Sequence, residues 1–422
     1  MNDFKFTTVV SIYPDGVKAM AGYVMNNMPY VANAVDVGCS GLVVDGQLVD
    51  QNRAVEAIQK AVGELAKNMN QNINNVALLM PCEGCTLIND KKGTYISNVT
   101  CNYTDVKNCV NIFGNSLNYD KDAYSIDIVP LFYQYASSQN EEEDKKTYFD
   151  FHLGKTCRCL SITSAGILMK RSTYDQFIDV VRKAGFDISF KNISTYASAF
   201  YYYKKMVNFC TKNRLSNLVY VYLENSFTGF AFLKNGFITK VIDIPYGIQN
   251  VVNKISSDLK ISKVKADDLL QSIGVDPTIP IPMKIENGFS QIEFIEEAKN
   301  GLKELFDKID KVIKNECANN GSYVAPNVML LSGSGSLING IVDYSNSTLG
   351  IKTTDLPVNL IGAHLRTYTD LAGGLLLADR HTYLGSNDSM TRVLARDPVS
   401  GSSASNIPSR ESGRESPRSL LE

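Results

Sequence analysis

The sequence predicts a mixed α/β protein of more than one domain. Three observations carry this: 422 residues exceed what one small core needs, strand-like and helix-like periodicities alternate along the chain, and Leu330-Leu331-Ser332-Gly333-Ser334-Gly335-Ser336-Leu337-Ile338-Asn339-Gly340-Ile341 joins an apolar strand to a glycine-serine turn and a helix start. Gly333 and Gly335 would let a base or phosphate approach the backbone, and free N–H groups at a helix start favour anions. An ordinary tight turn and a nucleotide contact are both open for these residues alone.

Residues 6–12 and 18–24 read as strands flanking the turn Tyr13-Pro14-Asp15-Gly16. Val55, Ile58, Val62 and Leu65 recur at helical spacing within 51–67, and 75–80 follows as a short buried strand. From 82 to 161 the pattern changes to strand pieces around one helix-like segment, 104–114, and reads as an inserted subdomain. Its acidic run Glu141-Glu142-Glu143-Asp144 reads as a solvated loop tip, because like charges repel and stay hydrated.

A second α/β unit then runs helix 173–184, strand 187–192, helix 195–213, and strands 217–223 and 229–234 turning at Asn235-Gly236. Helices at 248–259 and 263–272, the break Pro277-Thr278-Ile279-Pro280-Ile281-Pro282 and a long amphipathic helix at 292–314 lead into the glycine-serine turn. The last helix, 367–377, holds Ala372-Gly373-Gly374, small residues suited to close packing. Residues 400–422, rich in Ser, Arg, Glu, Gly and Pro, cannot bury enough apolar surface to fold and are expected to form a disordered tail.

With 44% hydrophobic residues, 20% charged residues and a net charge of -2, nothing electrostatic calls for nucleic acid or an anionic membrane. No 18-residue apolar run and no signal-peptide pattern occur, so a cytoplasmic location is expected. Cys82-Glu83-Gly84-Cys85 is a CxxC, but Cys101 and Cys109 are eight apart with no histidine near, which is not a zinc spacing. Cys157 and Cys159 read as small apolar residues in a strand.

In this order the elements resemble the bacterial cell-division protein family FtsA, of the actin-like ATPase superfamily, over roughly residues 6–383. The stretch Ser40-Gly41-Leu42-Val43-Val44-Asp45-Gly46-Gln47-Leu48-Val49-Asp50 looks like that family's entry to its first long helix. Lys183-Ala184-Gly185-Phe186-Asp187 with Ser194-Thr195-Tyr196-Ala197-Ser198-Ala199 resembles a strand and first connecting helix, and Ile244-Pro245-Tyr246-Gly247 resembles the entry to subdomain 2B. Residues 332–340 look like the adenosine motif, and Asp370-Leu371-Ala372-Gly373-Gly374-Leu375-Leu376 like the second connecting helix.

The resemblance implies an actin-like two-domain fold with four subdomains and a disordered tail. Subdomain 1A takes 1–82, 162–213 and 359–383, the inserted 1C takes 83–161, 2A takes 214–244 and 326–358, 2B takes 245–325, and the tail takes 384–422. It also implies ATP with Mg²⁺ as the cofactor, held by Gly333, Ser334 and Gly335 with Asp15, Gly16 and Thr228 at the phosphate loops. The chain departs from the family at both loops. Where an Asp-Ile-Gly-Thr-like hairpin is expected, Ser11-Ile12-Tyr13-Pro14-Asp15-Gly16 has serine for the acid and a proline that removes a donor. Where an Asp-Ile-Gly-Gly-Gly-Thr-Thr-Asp-like run is expected, Tyr222-Leu223-Glu224-Asn225-Ser226-Phe227-Thr228-Gly229 lacks both acids and all three glycines, and Glu224 puts a carboxylate where phosphates would lie. Asp36-Val37-Gly38-Cys39-Ser40 spells a phosphate-loop start but falls at the wrong place in the order.

The expected function is therefore a self-associating FtsA-like scaffold at the division site, on the inner face of the membrane, with weak or lost ATP binding and no catalytic or metal residue. It would bind the carboxy-terminal peptide of FtsZ through Lys299 and Lys303 and self-associate through 1C and 2B. Two alternatives stay open: a PilM-like adaptor of pilus or secretion machinery, and an ATPase with rewired loops. Membrane attachment has little sequence support, since Met390, Val393 and Leu394 beside Arg392 and Arg396 make a short amphipathic face before Asp397-Pro398.

Overall fold

The computed structural model describes residues 6–97, 99–117, 122–137, 147–278, 289–319, 325–358, 360–362 and 366–383. The acidic run, most of the proline-rich break, the amphipathic face and the tail lie outside the described residues. The chain divides into two compact units, one of residues 1–83, 176–188 and 192–376, the other of 84–175, 189–191 and 377–422.

In chain order the elements are β1 (Thr7–Tyr13), β2 (Gly16–Met25), β3 (Met28–Gly38), the two-residue pair β4 (Val43–Val44) and β5 (Gln47–Leu48), α1 (Gln51–Met69) and β6 (Asn75–Met80). Then come β7 (Cys85–Tyr95), α2 (Tyr103–Ser116), β8 (Ala123–Ala136), β9 (Cys159–Lys170), α3 (Arg171–Lys183), β10 (Asp187–Ile193) and α4 (Ser194–Asn213). The rest are β11 (Asn217–Leu223), β12 (Thr228–Lys234), β13 (Phe237–Ile244), α5 (Ile248–Asp258), α6 (Lys263–Ser272), α7 (Gln291–Asn319), β14 (Val328–Ser332), α8 (Ile341–Leu349), β15 (Lys352–Asp355) and α9 (Thr369–Tyr383).

The larger unit holds two five-stranded sheets of one design. The first runs β10-β6-β1-β2-β3 and the second β13-β12-β11-β14-β15. In each, three consecutive antiparallel strands are followed across the sheet by a parallel partner of the first strand: β1 pairs β2 antiparallel and β6 parallel, and β11 pairs β12 antiparallel and β14 parallel. Parallel neighbours need long crossovers, and α1 lies in the connection that leads from β3 back to β6, the parallel neighbour of β1. Its apolar stripe is buried at Ala54, Ala57, Ile58, Ala61, Val62 and Leu65, and Asp50 caps it by accepting from the Asn52 and Arg53 N–H groups.

The second sheet packs α5, α6 and α7 in one core, where α7 contributes Phe294, Leu302, Leu305, Phe306 and Ile309 against Val219, Val221, Phe230 and Phe232. Small residues let α9 cross α4 closely: a Cβ on Gly373 would lie 1.8 Å from the Ala197 carbonyl oxygen, as the glycine pair in the sequence suggests. In the smaller unit, α2 lies on the sheet β7-β9-β8 over a core of Val106, Val110, Phe113, Tyr135, Leu160 and the three thiols of Cys101, Cys109 and Cys157. Two of these, Cys101 and Cys157, bring their sulfurs to 2.7 Å from each other, and burial first, then the Cys157 thiol, pushes the Cys101 thiol up.

Several elements differ from the sequence expectation. β3 extends the first meander and absorbs Asp36, Val37 and Gly38, so the phosphate-loop look-alike is the end of a strand. Asn235-Gly236 joins β12 to β13, whereas β11 and β12 are joined through residues 224–227. The glycine-serine turn itself is a single 3₁₀ turn, Ser334–Leu337, and the expected helix start follows it at Ile341, the first residue of α8. β15, after α8, was not anticipated.

Candidate functional site

The site is built where the first hairpins of the two sheets end. β1 and β2 close on Tyr13-Pro14-Asp15-Gly16, with Tyr13 paired to Gly16, and β11 and β12 close with Leu223 paired to Thr228. Both hairpin tips are directed at one polar cluster. Ser226 Oγ donates to Asp15 Oδ1 at 2.7 Å, joining one tip to the other.

At its centre are Lys18 on β2 and Glu224 just beyond β11, each 3% exposed. Lys18 Nζ donates to Glu224 Oε2 at 2.8 Å, to the Thr367 carbonyl at 3.0 Å and to Thr367 Oγ1 at 2.9 Å. Glu224 Oε1 accepts the Ser334 N–H at 3.2 Å, and Oε2 accepts Thr367 Oγ1 at 3.0 Å. The carboxylate therefore collects a cation, a hydroxyl and a backbone N–H, the donor types that otherwise hold a phosphate oxygen.

Asp370 borders the same lysine, and Tyr222 donates to its Oδ1 at 3.4 Å and to the Thr367 carbonyl at 3.1 Å. Burial by itself would depress the Lys18 ammonium; Glu224 and then Asp370 more than reverse this and hold it above its ordinary value. Burial pushes the carboxyls of both Glu224 and Asp370 up, with Lys18 pulling each the other way. The Tyr13 ring lies 4.8 Å from the ammonium, and its hydroxyl is engaged with Asp36.

Each residue expected at the nucleotide site has a place in this packing. Ser334 gives its N–H to Glu224, and its hydroxyl donates to Asn225 Oδ1 at 3.5 Å. Gly333 has φ +87°, and a Cβ there would lie 2.4 Å from the Leu223 carbonyl oxygen; at Gly335 it would meet Ile248 at 2.6 Å. Both glycines are needed for the turn to lie against β11 and α5. Thr228 Oγ1 donates to the Tyr246 carbonyl at 2.6 Å, Asp15 accepts from Ser226, and a Cβ on Gly16 would stand 2.3 Å from the Val37 carbonyl. Ser11, where the resembled loop has an acid, shares a 3.0 Å hydrogen bond with Ser194 Oγ.

Lys299 and Lys303 are elsewhere, one turn apart on α7, half-exposed and exposed. Lys18 was missed by sequence reasoning. Its signal was a single lysine inside the apolar run Gly16-Val17-Lys18-Ala19-Met20-Ala21, and its partner is 206 positions away.

Beside this cluster a half-open cavity of about 350 Å³ is lined by Tyr13 and Pro14 of the first hairpin, Phe227 of the second, and residues around β4, β6 and the end of β13. Asp243 on its wall accepts from Thr195 Oγ1 at 2.5 Å and from the Cys82 N–H at 3.2 Å. Among the described residues, no group of His, Cys, Asp and Glu is arranged to hold a metal ion, and no helix is long and apolar enough to cross a membrane.

Comparison with solved structures places this architecture. The PilM–PilN type IV pilus biogenesis complex contains a chain similar to this one at TM-score 0.55 and 11% identity, covering 91% of this chain and 100% of that one. The fold is actin-like. The ethanolamine utilization protein EutJ from Carboxydothermus hydrogenoformans is similar at TM-score 0.48 and 12% identity, over 88% of this chain and 90% of its own. MreB5 of Spiroplasma citri bound to ADP matches at TM-score 0.47 and 12% identity, over 89% and 97%. These neighbours belong to the actin-like ATPase superfamily, and the FtsA family is not singled out among them. No protein-family profile matches the sequence, and no curated protein does.

Proposed function

We propose that this chain is an actin-fold adaptor that acts by binding protein partners and copies of itself, with ATP turnover given up. The observation that carries the reading is the Glu224 carboxylate, which engages Lys18, Thr367 and the Ser334 N–H at the junction of the two first hairpins. Phosphoryl transfer depends on a positioned metal and on donors aimed at phosphate. Here the donors face a side chain, and the positions of the missing loop acids are held by Ser11 and Tyr222, both engaged within the protein. ATP with Mg²⁺ would have to displace a buried ion pair to enter.

Two partner assignments follow. The likeness to the chain of the PilM–PilN complex favours a PilM-like adaptor that holds a peptide of a membrane protein. The lysines one turn apart on α7 support an FtsA-like scaffold that takes the acidic carboxy-terminal peptide of FtsZ on subdomain 2B, residues 245–325, and self-associates through 1C and 2B. In either case the adaptor is cytoplasmic and acts at the inner face of the membrane, at the division site in the second.

Fluorescence anisotropy with an FtsZ carboxy-terminal peptide and with a PilN-type amino-terminal peptide separates the two. The scaffold assignment expects Lys299→Glu to weaken FtsZ-peptide binding about tenfold while the unfolding midpoint stays put; unchanged affinity removes that residue from the interface. If neither peptide binds and sedimentation finds only monomer, the adaptor reading fails. Sustained phosphate release from ATP would replace it with an enzyme.

A further inference from the structure

The cavity beside the ion pair is not described by the loop residues already discussed. Its walls include Ile12, Phe227, Ile244 and Pro245, apolar side chains suited to an aliphatic or planar body. Its charged lining is of one sign: Asp45, Glu83 and Asp243, with no basic residue among the described residues that line it. The Lys18 ammonium, which packs on the Tyr13 ring, is taken by Glu224. Burial raises the Asp243 carboxyl, with the Thr195 hydroxyl and Cys82 pulling it the other way and Glu83 adding a little to the rise.

The carboxylates are held on rigid supports. Asp45 and Gly46 form the two-residue turn between β4 and β5 with φ of 47° and 72°, a hairpin geometry that fixes where Asp45 points its backbone. Glu83 packs against that turn, since a Cβ on Gly46 would meet the Glu83 side chain. Asp45 and Glu83 are exposed and Asp243 is half-buried. A phosphate entering here would face three carboxylates, whereas a cation on an apolar stem would be complementary in charge to all of them.

We propose that this cavity is a docking pocket for a lysine or arginine side chain of a protein partner, its stem on Ile12, Phe227 and Ile244 and its charge between Asp45, Glu83 and Asp243. The pocket deepens the adaptor reading and rests on it: it gives the partner a basic anchor next to a nucleotide cleft that the protein has closed.

The test is methyl NMR of the full chain with labelled isoleucine, titrated with Nα-acetyl-arginine amide, with its citrulline isostere, which has the same shape without the charge, and with spermidine. The arginine amide is expected to shift Ile12 and Ile244 saturably, about tenfold more weakly when citrulline replaces it, and not at all in Asp45→Asn/Glu83→Gln. Those two residues are exposed, and an unchanged melting curve of the double variant checks its fold. Absent shifts, equal shifts with citrulline, or shifts that survive the double substitution overturn the proposal; tighter binding of spermidine assigns the pocket to a free polyamine instead. The phosphate-release assay and the FtsZ-peptide assay, which reads Lys299 on α7, do not depend on these two carboxylates, so the adaptor reading can stand or fall separately.

Discussion

The two five-stranded sheets of the larger unit share one strand order, yet their first hairpins carry opposite charges. The first, β1–β2, places Lys18 in the interior; the second, β11–β12, places Glu224 there. In the resembled family, both hairpins would be glycine-rich and acid-bearing and would turn their N–H groups to phosphate. Here the hairpins recognise one another. Two sheets of one design each contribute one half of a buried ion pair, and in the proposed function that pair takes the place of a ligand.

Breaking the charge asymmetry should have the largest effect. Lys18→Met or Glu224→Ala leaves the other charge buried and unpaired, and each is expected to cost about 3–5 kcal/mol in urea unfolding. The double variant Lys18→Met/Glu224→Leu should recover most of that loss, because packed apolar residues can replace a buried pair. Single variants within 1 kcal/mol of the parent would remove the pair from the account. The sign of the pH dependence follows from the raised Lys18: its stabilisation is fully present below the ordinary lysine value of about 10.4 and is lost as pH rises through the higher folded value. The gap between parent and Lys18→Met should therefore close in strong alkali, and also narrow in acid as the unpaired Glu224 takes a proton.

A smaller effect is expected from Gly333→Ala, where the turn meets the second hairpin. The positive φ costs roughly 1–3 kcal/mol for a residue with a Cβ, and the Leu223 carbonyl leaves no room for it. Gly335→Ala should cost less, since the obstacle is the Ile248 side chain, which can shift. Equal melting temperatures for the two variants would contradict this ordering. The smallest effect belongs to the tip-to-tip bond: Ser226→Ala removes one hydrogen bond to Asp15 and is expected to cost about 0.5–1.5 kcal/mol. A loss comparable to that of Glu224→Ala would mean that the tips, and not the buried pair, hold the hairpins together.

Much of the first sheet was readable because its strands carry strong local signals. The Pro-Asp-Gly turn fixes the first hairpin, and β6 is an uninterrupted apolar run. β3 alternates buried and exposed residues but contains Pro29, Asn33 and a loop-like Asp-Val-Gly, and those local cues obscured its period. α8, Ile-Val-Asp-Tyr-Ser-Asn-Ser-Thr-Leu, is rich in β-branched, Ser and Asn residues, which favour helix poorly, so its form depends on packing against β15 and α7. At the site, Gly333 and Gly335 were legible as a match to a motif and Glu224 as a departure from one. What Glu224 binds was not, because pairing across 206 residues is a property of topology and leaves no local pattern.

The most direct measurement is calorimetric titration of the full chain with ATP and Mg²⁺ at protein concentrations that resolve micromolar affinity. With Glu224 occupying the donors, no saturable heat is expected up to millimolar nucleotide. Saturable micromolar binding to the unaltered chain would show that the ion pair opens for nucleotide, and would contradict the claim that the protein itself fills that place.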